Sequence, residues 1–173
     1  MQLETSHLIL HIDGGARGNP GPAGVGVVLA DADDSTPLHE AGYYIGRATN
    51  NVAEYRGLVR GLELAAAMHA QRITVRSDSE LLVRQMSGEY RVKSAALKPL
   101  HQQAQTLLRR FEQPTVEHVR RELNARADEL ANLAMDAKRD VIATDGAPFM
   151  NSPAPKARKT SHRASNPTPR FTL

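Results

Sequence analysis

Four acidic side chains stand where this sequence changes from one kind of segment to another. Asp13 ends an alternating apolar run and is followed at once by a glycine-rich turn, and Asp78 ends a second apolar run. Glu54 and Asp128 fall near the starts of two amphipathic helical segments. Because ligand crevices of open α/β sheets lie at the carboxyl ends of strands, the pattern predicts that the four carboxylates meet there. Taken alone, the Asp13 turn is equally consistent with a hairpin whose carboxylate only caps backbone amides.

Clustered carboxylates repel one another in a crevice of low dielectric constant unless they take up protons or bind cations. The chain has no cysteine, and the four positions include no paired histidine, so every candidate ligand atom is an oxygen. Such ligands favour Mg²⁺, with Mn²⁺ as a substitute. Two such ions about 3.5–4 Å apart are the usual apparatus for in-line attack of water on a phosphodiester. The predicted chemistry is therefore metal-dependent hydrolysis of a phosphodiester.

The rest of the pattern supplies the elements that would hold these carboxylates. Alternating apolar residues predict strands at residues 7–13, 23–32, 38–46, 73–78 and 115–120. Apolar stripes predict helices at residues 49–69, 79–86, 99–111 and 125–138, the last with Asn124 as its N-cap. Short connections make the first three strands an antiparallel meander. The fourth strand returns after a helix, so it lies parallel to the first and brings Asp78 beside Asp13.

Composition limits the class of protein. A chain of 173 residues suits one domain with a tail, and the lack of cysteine excludes disulfides and thiolate metal sites. No apolar run approaches the ~20 residues of a membrane span, and the charged start is not a signal peptide, so we expect a cytoplasmic protein without membrane partners. The net charge of +3 comes from residues 140–173. Charge alone therefore gives little reason to assign nucleic-acid binding to the rest of the chain.

Four segments resemble the four motifs of type 1 ribonucleases H, in the right order and at suitable spacing. They are residues 13–22, 49–55, 77–79 and 127–131. The resemblance covers roughly residues 7–138 and implies an α/β, ribonuclease H-like fold. In that fold a five-stranded mixed sheet, three antiparallel strands followed by parallel additions, is flanked by helices. The implied activity is endonucleolytic hydrolysis of the RNA strand of RNA–DNA hybrids, which leaves 5′-phosphate and 3′-hydroxyl ends.

The resemblance also implies roles for particular residues. The catalytic metal ligands would be Asp13, Glu54, Asp78 and Asp128, which hold two ions when substrate is bound. The residues that contact the hybrid would be Asn50 and Asn51 at its minor groove, with Asn19 and Thr49 near its backbone. Independently of the family, short amides and hydroxyls can both donate to and accept from a 2′-hydroxyl, the group that distinguishes RNA from DNA.

Two features depart from many bacterial members of this family. The connection before the last helix, residues 120–124, is short and lacks the histidine that is thought to help proton transfer or product release. Arg121 is the candidate to serve instead, as in archaeal relatives. The chain also has no tryptophan, and residues 87–98 supply only three basic residues. It therefore lacks the basic protrusion with which those members hold the hybrid.

Two other functions remain open. One is a different nuclease of the same fold, such as a junction resolvase or a transposase-like core, and the other is a hybrid-binding module without catalysis. The segment Thr49-Asn50-Asn51 argues against the first, because those relatives do not need to contact a 2′-hydroxyl. The second would be marked by loss of a carboxylate, and none of the four is lost.

The end of the sequence has a different composition from the rest. We divide the chain into a catalytic domain at residues 1–140 and a Pro-rich, basic segment at residues 141–173, which we expect to be a disordered tail or an interdomain linker. The sequence resembles actinobacterial proteins in which a ribonuclease H domain precedes a histidine-phosphatase-like domain. A C-terminal phosphatase domain in a longer chain is thus one expectation, and a basic tail that contacts phosphates is the other. We expect the catalytic domain to be a monomer.

Overall fold

The computed structural model describes residues 6–145 and contains a mixed sheet of six strands. The strands are β1 (His7–Ala16), β2 (Gly21–Asp31), β3 (Pro37–Ala48), β4 (Arg72–Ser77), β5 (Glu112–His118) and β6 (Val141–Asp145). The helices are α1 (Asn50–Ala67), α2 (Glu80–Met86), α3 (Lys98–Leu108) and α4 (Ala125–Ala137), and a 3-10 turn (Arg121–Asn124) precedes α4. No helix within residues 6–145 is both long and apolar enough to cross a membrane.

The strand order explains how the two main strand ends come together. The sheet runs β5-β4-β1-β2-β3-β6. β1, β2 and β3 form an antiparallel meander, whereas β4 lies parallel to β1 and β5 lies parallel to β4. These pairings confirm the predicted mixed sheet. They also place the carboxyl ends of β1 and β4 side by side, because Ile12 is aligned with Ser77.

The sheet has one strand more than the five that were predicted. The added strand, β6, pairs antiparallel with the outer edge of β3 and is made of residues that the sequence analysis grouped with the tail. Thr144 Oγ1 donates to Glu40 Oε2 at 2.6 Å, and the Tyr44 backbone N–H donates to Asp140 Oδ1 at 3.0 Å. Val141 and Ile142 are strand-favouring residues, but the prolines that follow obscured this short signal. The predicted tail from residue 146 onward lies outside the described residues.

One face of the sheet carries the main hydrophobic core. The alternate residues of β1 point towards α1, so that Leu10 and Ile12 pack with Leu58 and Leu62 of the helix, and all four are fully buried. Burial of a leucine or isoleucine side chain is worth about 1.5–3 kcal/mol. This packing fixes α1 against β1, which matters because both elements carry acidic residues of the predicted site.

On the other face, α4 lies directly on the backbone of the sheet. A methyl group added at Gly26 of β2 would overlap the carbonyl group of Ala127, and one added at Gly42 of β3 would overlap that of Leu130. Only glycine permits so close an approach. The two glycines thus determine the height of α4 above the sheet, and with it the position of Asp128 in the first turn of that helix.

Candidate active site

A cleft of about 470 Å³ opens at the carboxyl ends of β1 and β4. Its lining comes from β1 and the turn after it, from α1, from the loop that follows β4, and from α4 with the 3-10 turn before it. Among the lining residues are all four predicted metal ligands, together with Asn50, Asn51 and Arg121. The topology therefore brings together side chains that are up to 115 positions apart in the sequence, from Asp13 to Asp128.

Three of the four carboxylates form a tight group. Asp13, Glu54 and Asp78 each contribute an oxygen, and these oxygens lie within 4.8 Å of one another. Asp128 lines the same cleft from the first turn of α4 but is outside this group. The structure thus places three predicted ligands as one cluster and the fourth beside it.

Glu54 reaches the cluster because α1 packs tightly against β1. A methyl group at Gly14 would overlap the backbone of Ala53 and Glu54 and would lie 2.6 Å from the Ala53 carbonyl oxygen. The glycine that follows Asp13 therefore allows the helix backbone to approach the strand. This approach sets the Glu54 carboxyl group beside that of Asp13.

Burial and mutual repulsion raise the pKa of two members of this cluster, Asp13 and Glu54. Asp13 is 8% exposed, and desolvation, followed by the charges of Asp78 and Asp128 and a hydrogen bond with Asp128, raises its pKa to about 8. The pKa of Glu54 lies well above its ordinary value, chiefly because of burial and then because of the charges of Asp13 and Asp78. At neutral pH these groups must remain protonated or gain a cation.

The cluster has the features of a divalent cation site. Glu54 Oε2 is buried, and it has no hydrogen-bond partner among residues 6–145. A buried carboxylate oxygen without a donor is costly unless a cation takes that place. All donor atoms are oxygens, which suits a hard divalent ion. The residues present therefore fit a divalent metal.

The predicted substrate-binding residues differ in the hydrogen bonds that their side chains already make within the protein. Asn50 Oδ1 accepts a hydrogen bond from the Ala16 backbone N–H at 2.8 Å, and Asn19 Oδ1 accepts one from the Asn50 backbone N–H at 3.1 Å. Thr49 Oγ1 accepts from the Val52 N–H and caps α1. Within the described chain, Asn51 is the one of the four whose side chain makes no hydrogen bond. Asn19 and Thr49 do not line the cleft.

Arg121 extends over the edge of the cleft. Its Nη2 lies 3.8 Å from Asp128 Oδ1, and its side chain is 79% exposed. An ion pair so open to solvent holds its partners weakly. The guanidinium of Arg121 is therefore open to solvent beside the acidic cleft.

The sequence analysis missed two polar residues around the site, Asn132 and Arg17. Asn132 lies one turn after Asp128, and its Nδ2 donates to the Asp128 carbonyl oxygen at 2.9 Å. Arg17 bonds Asn132 Oδ1 at 3.2 Å and Asp136 at 2.7 Å, so it links the β1–β2 turn to α4. The four-residue spacing from Asp128 was a usable signal for Asn132. Nothing local indicated Arg17.

Asn124 occupies the N-cap position of α4, as predicted, but its side chain makes no capping hydrogen bond. It is turned instead to the sheet, where Nδ2 donates to the Ile12 carbonyl oxygen at 2.8 Å. The residue that precedes a helix usually caps it with its side-chain oxygen, but here Oδ1 lies 3.2 Å from His11 Nδ1 while Nδ2 is held by the Ile12 carbonyl oxygen.

Comparison with known proteins gives a consistent picture. The family model described as reverse transcriptase-like matches residues 11–134. The chain is 50% identical over 141 residues to the bifunctional protein Rv2228c of Mycobacterium tuberculosis, an alignment that covers 82% of this chain and 39% of that protein. The chain thus spans about two-fifths of the length of this curated relative.

Two solved structures are similar to the chain over most of their own length. The N-terminal RNase H domain of Rv2228c, solved as a fusion with maltose-binding protein, has a TM-score of 0.74 and 52% identity, and the match covers 76% of this chain and 95% of that one. LC11-RNase H1, solved in complex with an RNA/DNA hybrid, has a TM-score of 0.70 and 47% identity, with coverage of 76% and 98%.

Proposed function

The chain belongs to the type 1 ribonuclease H family, and from this premise we propose that it is an endonuclease that hydrolyses the RNA strand of RNA–DNA hybrids. The products are 5′-phosphate and 3′-hydroxyl ends. The observation that carries the proposal is the acidic cluster, in which oxygens of Asp13, Glu54 and Asp78 lie within 4.8 Å of one another at the base of an open cleft. All four carboxylates are present, which argues against a binding module without catalysis.

The proposed metal is Mg²⁺, with Mn²⁺ as a substitute, and two ions act when the hybrid is bound. Asp13, Glu54 and Asp78 hold them, and Asp128 completes the set from α4. Bound divalent ions supply the positive charge that phosphodiester hydrolysis needs at the attacking water and at the leaving oxygen. The chain itself contributes rigid placement: Asp13 lies in β1, Asp78 directly follows the paired strand β4, and Glu54 is fixed by the packing of α1 on β1.

Recognition of RNA is assigned to the amides at the start of α1. Asn51 has a free side-chain amide, which can donate to and accept from a 2′-hydroxyl. Asn50 presents its remaining Nδ2 group, since its Oδ1 is bonded to the Ala16 N–H. Asn19 and Thr49 act indirectly on RNA recognition, because they fix the β1–β2 turn and the start of α1. A resolvase or a transposase-like nuclease has no need of such a pair.

Arg121 is proposed as the auxiliary group that replaces the loop histidine of other members. Its guanidinium lies at the edge of the cleft next to Asp128. A guanidinium stays protonated at all accessible pH values, so it cannot accept a proton from the reacting water. Its role is therefore to attract the cleaved phosphate away from the metal ligands.

The direct test uses three labelled duplexes of one sequence: an RNA–DNA hybrid, duplex DNA and duplex RNA. Each is incubated with the full chain in Mg²⁺, in Mn²⁺ or in chelator. We expect cleavage of the RNA strand of the hybrid alone, with no cleavage in chelator. Comparable cutting of duplex DNA would contradict the assignment and favour a resolvase-like activity, and binding without cutting would favour the binding module.

A further inference from the structure

A buried amide joins the elements that carry the acidic cluster. Asn124 ends the 3-10 turn before α4 and is 1% exposed. Its Nδ2 donates to the Ile12 carbonyl oxygen at 2.8 Å and lies 3.5 Å from Asp78 Oδ1, while its Oδ1 lies 3.2 Å from His11 Nδ1. One side chain thus contacts β1, the loop after β4 and the start of α4.

These contacts lie next to the proposed ligands themselves. Ile12 directly precedes Asp13 in β1, and Asn124 is one helical turn before Asp128. For Asp78 the contact is with the carboxylate itself, because Asn124 Nδ2 lies 3.5 Å from Asp78 Oδ1. The amide therefore touches the immediate surroundings of three of the four carboxylates, although it is not one of the predicted ligands.

The Ile12 carbonyl oxygen determines which way the amide points, because it can only accept a hydrogen bond. An amide oxygen can only accept a hydrogen bond, so the histidine facing it must carry a proton on Nδ1. If the amide were reversed, its oxygen would face the Ile12 carbonyl oxygen and the Asp78 carboxylate, and neither can donate to it. The Ile12 carbonyl oxygen thus keeps the NH₂ group of Asn124 turned towards Asp78, and an Nδ1–H group on His11 supports this arrangement by donating to Asn124 Oδ1.

We propose that Asn124, held by the Ile12 carbonyl oxygen and by His11, is a positioning residue for the metal site. Its amide holds one Asp78 oxygen in place relative to the end of β1 and leaves the remaining lone pairs for a cation. Groups that hydrogen-bond to metal ligands in this way usually fix ligand orientation and metal affinity. The inference rests on the proposed function in that it takes Asp78 as a metal ligand.

The competing explanation is that Asn124 only fastens α4 to the sheet. The chain offers a matched control for that role in Gln85 of α2, a buried amide that is 6% exposed. Gln85 Oε1 accepts from the Tyr55 hydroxyl at 2.7 Å, and Gln85 does not line the cleft. Gln85→Leu therefore removes a buried amide without touching a carboxylate of the cluster.

The test is calorimetric titration of the 173-residue chain and its variants with Mn²⁺ in the absence of nucleic acid. We expect Asn124→Ala to bind Mn²⁺ about tenfold to a hundredfold more weakly than wild type. His11→Phe, which keeps the ring volume but removes the donor, should weaken binding in the same direction. Gln85→Leu should lower the unfolding temperature but bind Mn²⁺ like wild type.

The Mn²⁺ affinities of the three variants distinguish the positioning role from a purely structural one. Wild-type Mn²⁺ affinity in both Asn124→Ala and His11→Phe would overturn the proposal, as would an equal loss in Gln85→Leu. If Asn124→Ala does not fold, His11→Phe decides alone. Hybrid cleavage by the wild type is scored separately: weakened Mn²⁺ binding in the variants of a protein that cuts no hybrid would refute the proposed function but support the positioning role.

Discussion

At the scale of single residues, the carboxyl groups of Asp13 and Glu54 resist ionisation because both are buried and face further acids. Such a site is destabilising when it is ionised and empty, and it is relieved when a cation binds. The same residues therefore couple the stability of the fold to pH and to metal. This coupling can be measured without substrate.

Asp13→Asn should abolish cleavage and raise the unfolding temperature in chelator at pH 8. Folding raises the pKa of Asp13 from 3.8 to about 8, so the folded state holds the proton more tightly than the unfolded state. The free energy of unfolding of the wild type must then fall as pH rises from about 4 to about 8, at up to about 1.4 kcal/mol per pH unit. Asparagine cannot ionise and escapes this loss.

Calorimetric melts at pH 4, 6 and 8 in chelator measure the effect, with the exposed Asp33→Asn as the control. The advantage of Asp13→Asn should be absent at pH 4 and greatest at pH 8. A variant that melts no higher than wild type at pH 8, or that cuts hybrid at a near-normal rate in saturating Mg²⁺, would show that the metal site has been misplaced.

The substitutions Asn50→Ala and Asn51→Ala should have different effects on stability. Asn50→Ala removes an acceptor from the Ala16 N–H, so it should lower both hybrid affinity and stability, the latter by about 1 kcal/mol. Asn51→Ala leaves every described hydrogen bond intact and should lower only hybrid affinity. Urea unfolding and a hybrid titration at fixed salt measure the two quantities. Unchanged hybrid affinity in Asn51→Ala would exclude the proposed contact with RNA.

At the scale of helices and strands, regular patterns of apolar residues were sufficient to predict most of the fold. Alternation in β1 and β4 and the apolar stripe of α1 were sufficient to predict which strand ends meet, and hence the acidic cleft. A short strand and a side chain with a distant partner were not predicted from the sequence. β6 is five residues long and precedes a proline-rich segment. Asn124 has the residue type of a helix cap, but its partner, the Ile12 carbonyl group, is 112 positions away. Only the three-dimensional arrangement could reveal that choice.

Gly26→Ala should displace α4 from the sheet. The added methyl group would overlap the Ala127 carbonyl group, which is backbone and cannot rotate away. We expect a destabilisation of about 1–3 kcal/mol and a loss of cleavage, since Asp128 follows Ala127 in α4. Gly15→Ala is the control for stability, because its methyl group would meet only Met135 Cε at 3.8 Å. Equal unfolding temperatures for the two variants would contradict the close packing of α4.

At the scale of the whole molecule, the residues after β6 are proposed to be an interdomain linker, in line with the relative of which the chain covers 39%. Removal of residues 146–173 should then leave hybrid affinity and its salt dependence unchanged. If the basic residues of that segment bind phosphates, the slope of log affinity against log salt should instead flatten by several units. Removal of residues 140–173 is the comparison: it also deletes β6 and should lower the unfolding temperature.

The directions of β1 and β6, the first and last strands of the described chain, decide where anything joined to this domain begins. β1 runs towards the acidic cleft, whereas β6 is antiparallel to β3, which itself runs in the same direction as β1. His7, which begins β1, and Asp145, which ends β6, therefore lie on the side of the sheet opposite the cleft. A neighbouring domain on either side would be tethered behind the nuclease, and a long duplex could pass across the cleft without meeting the tether.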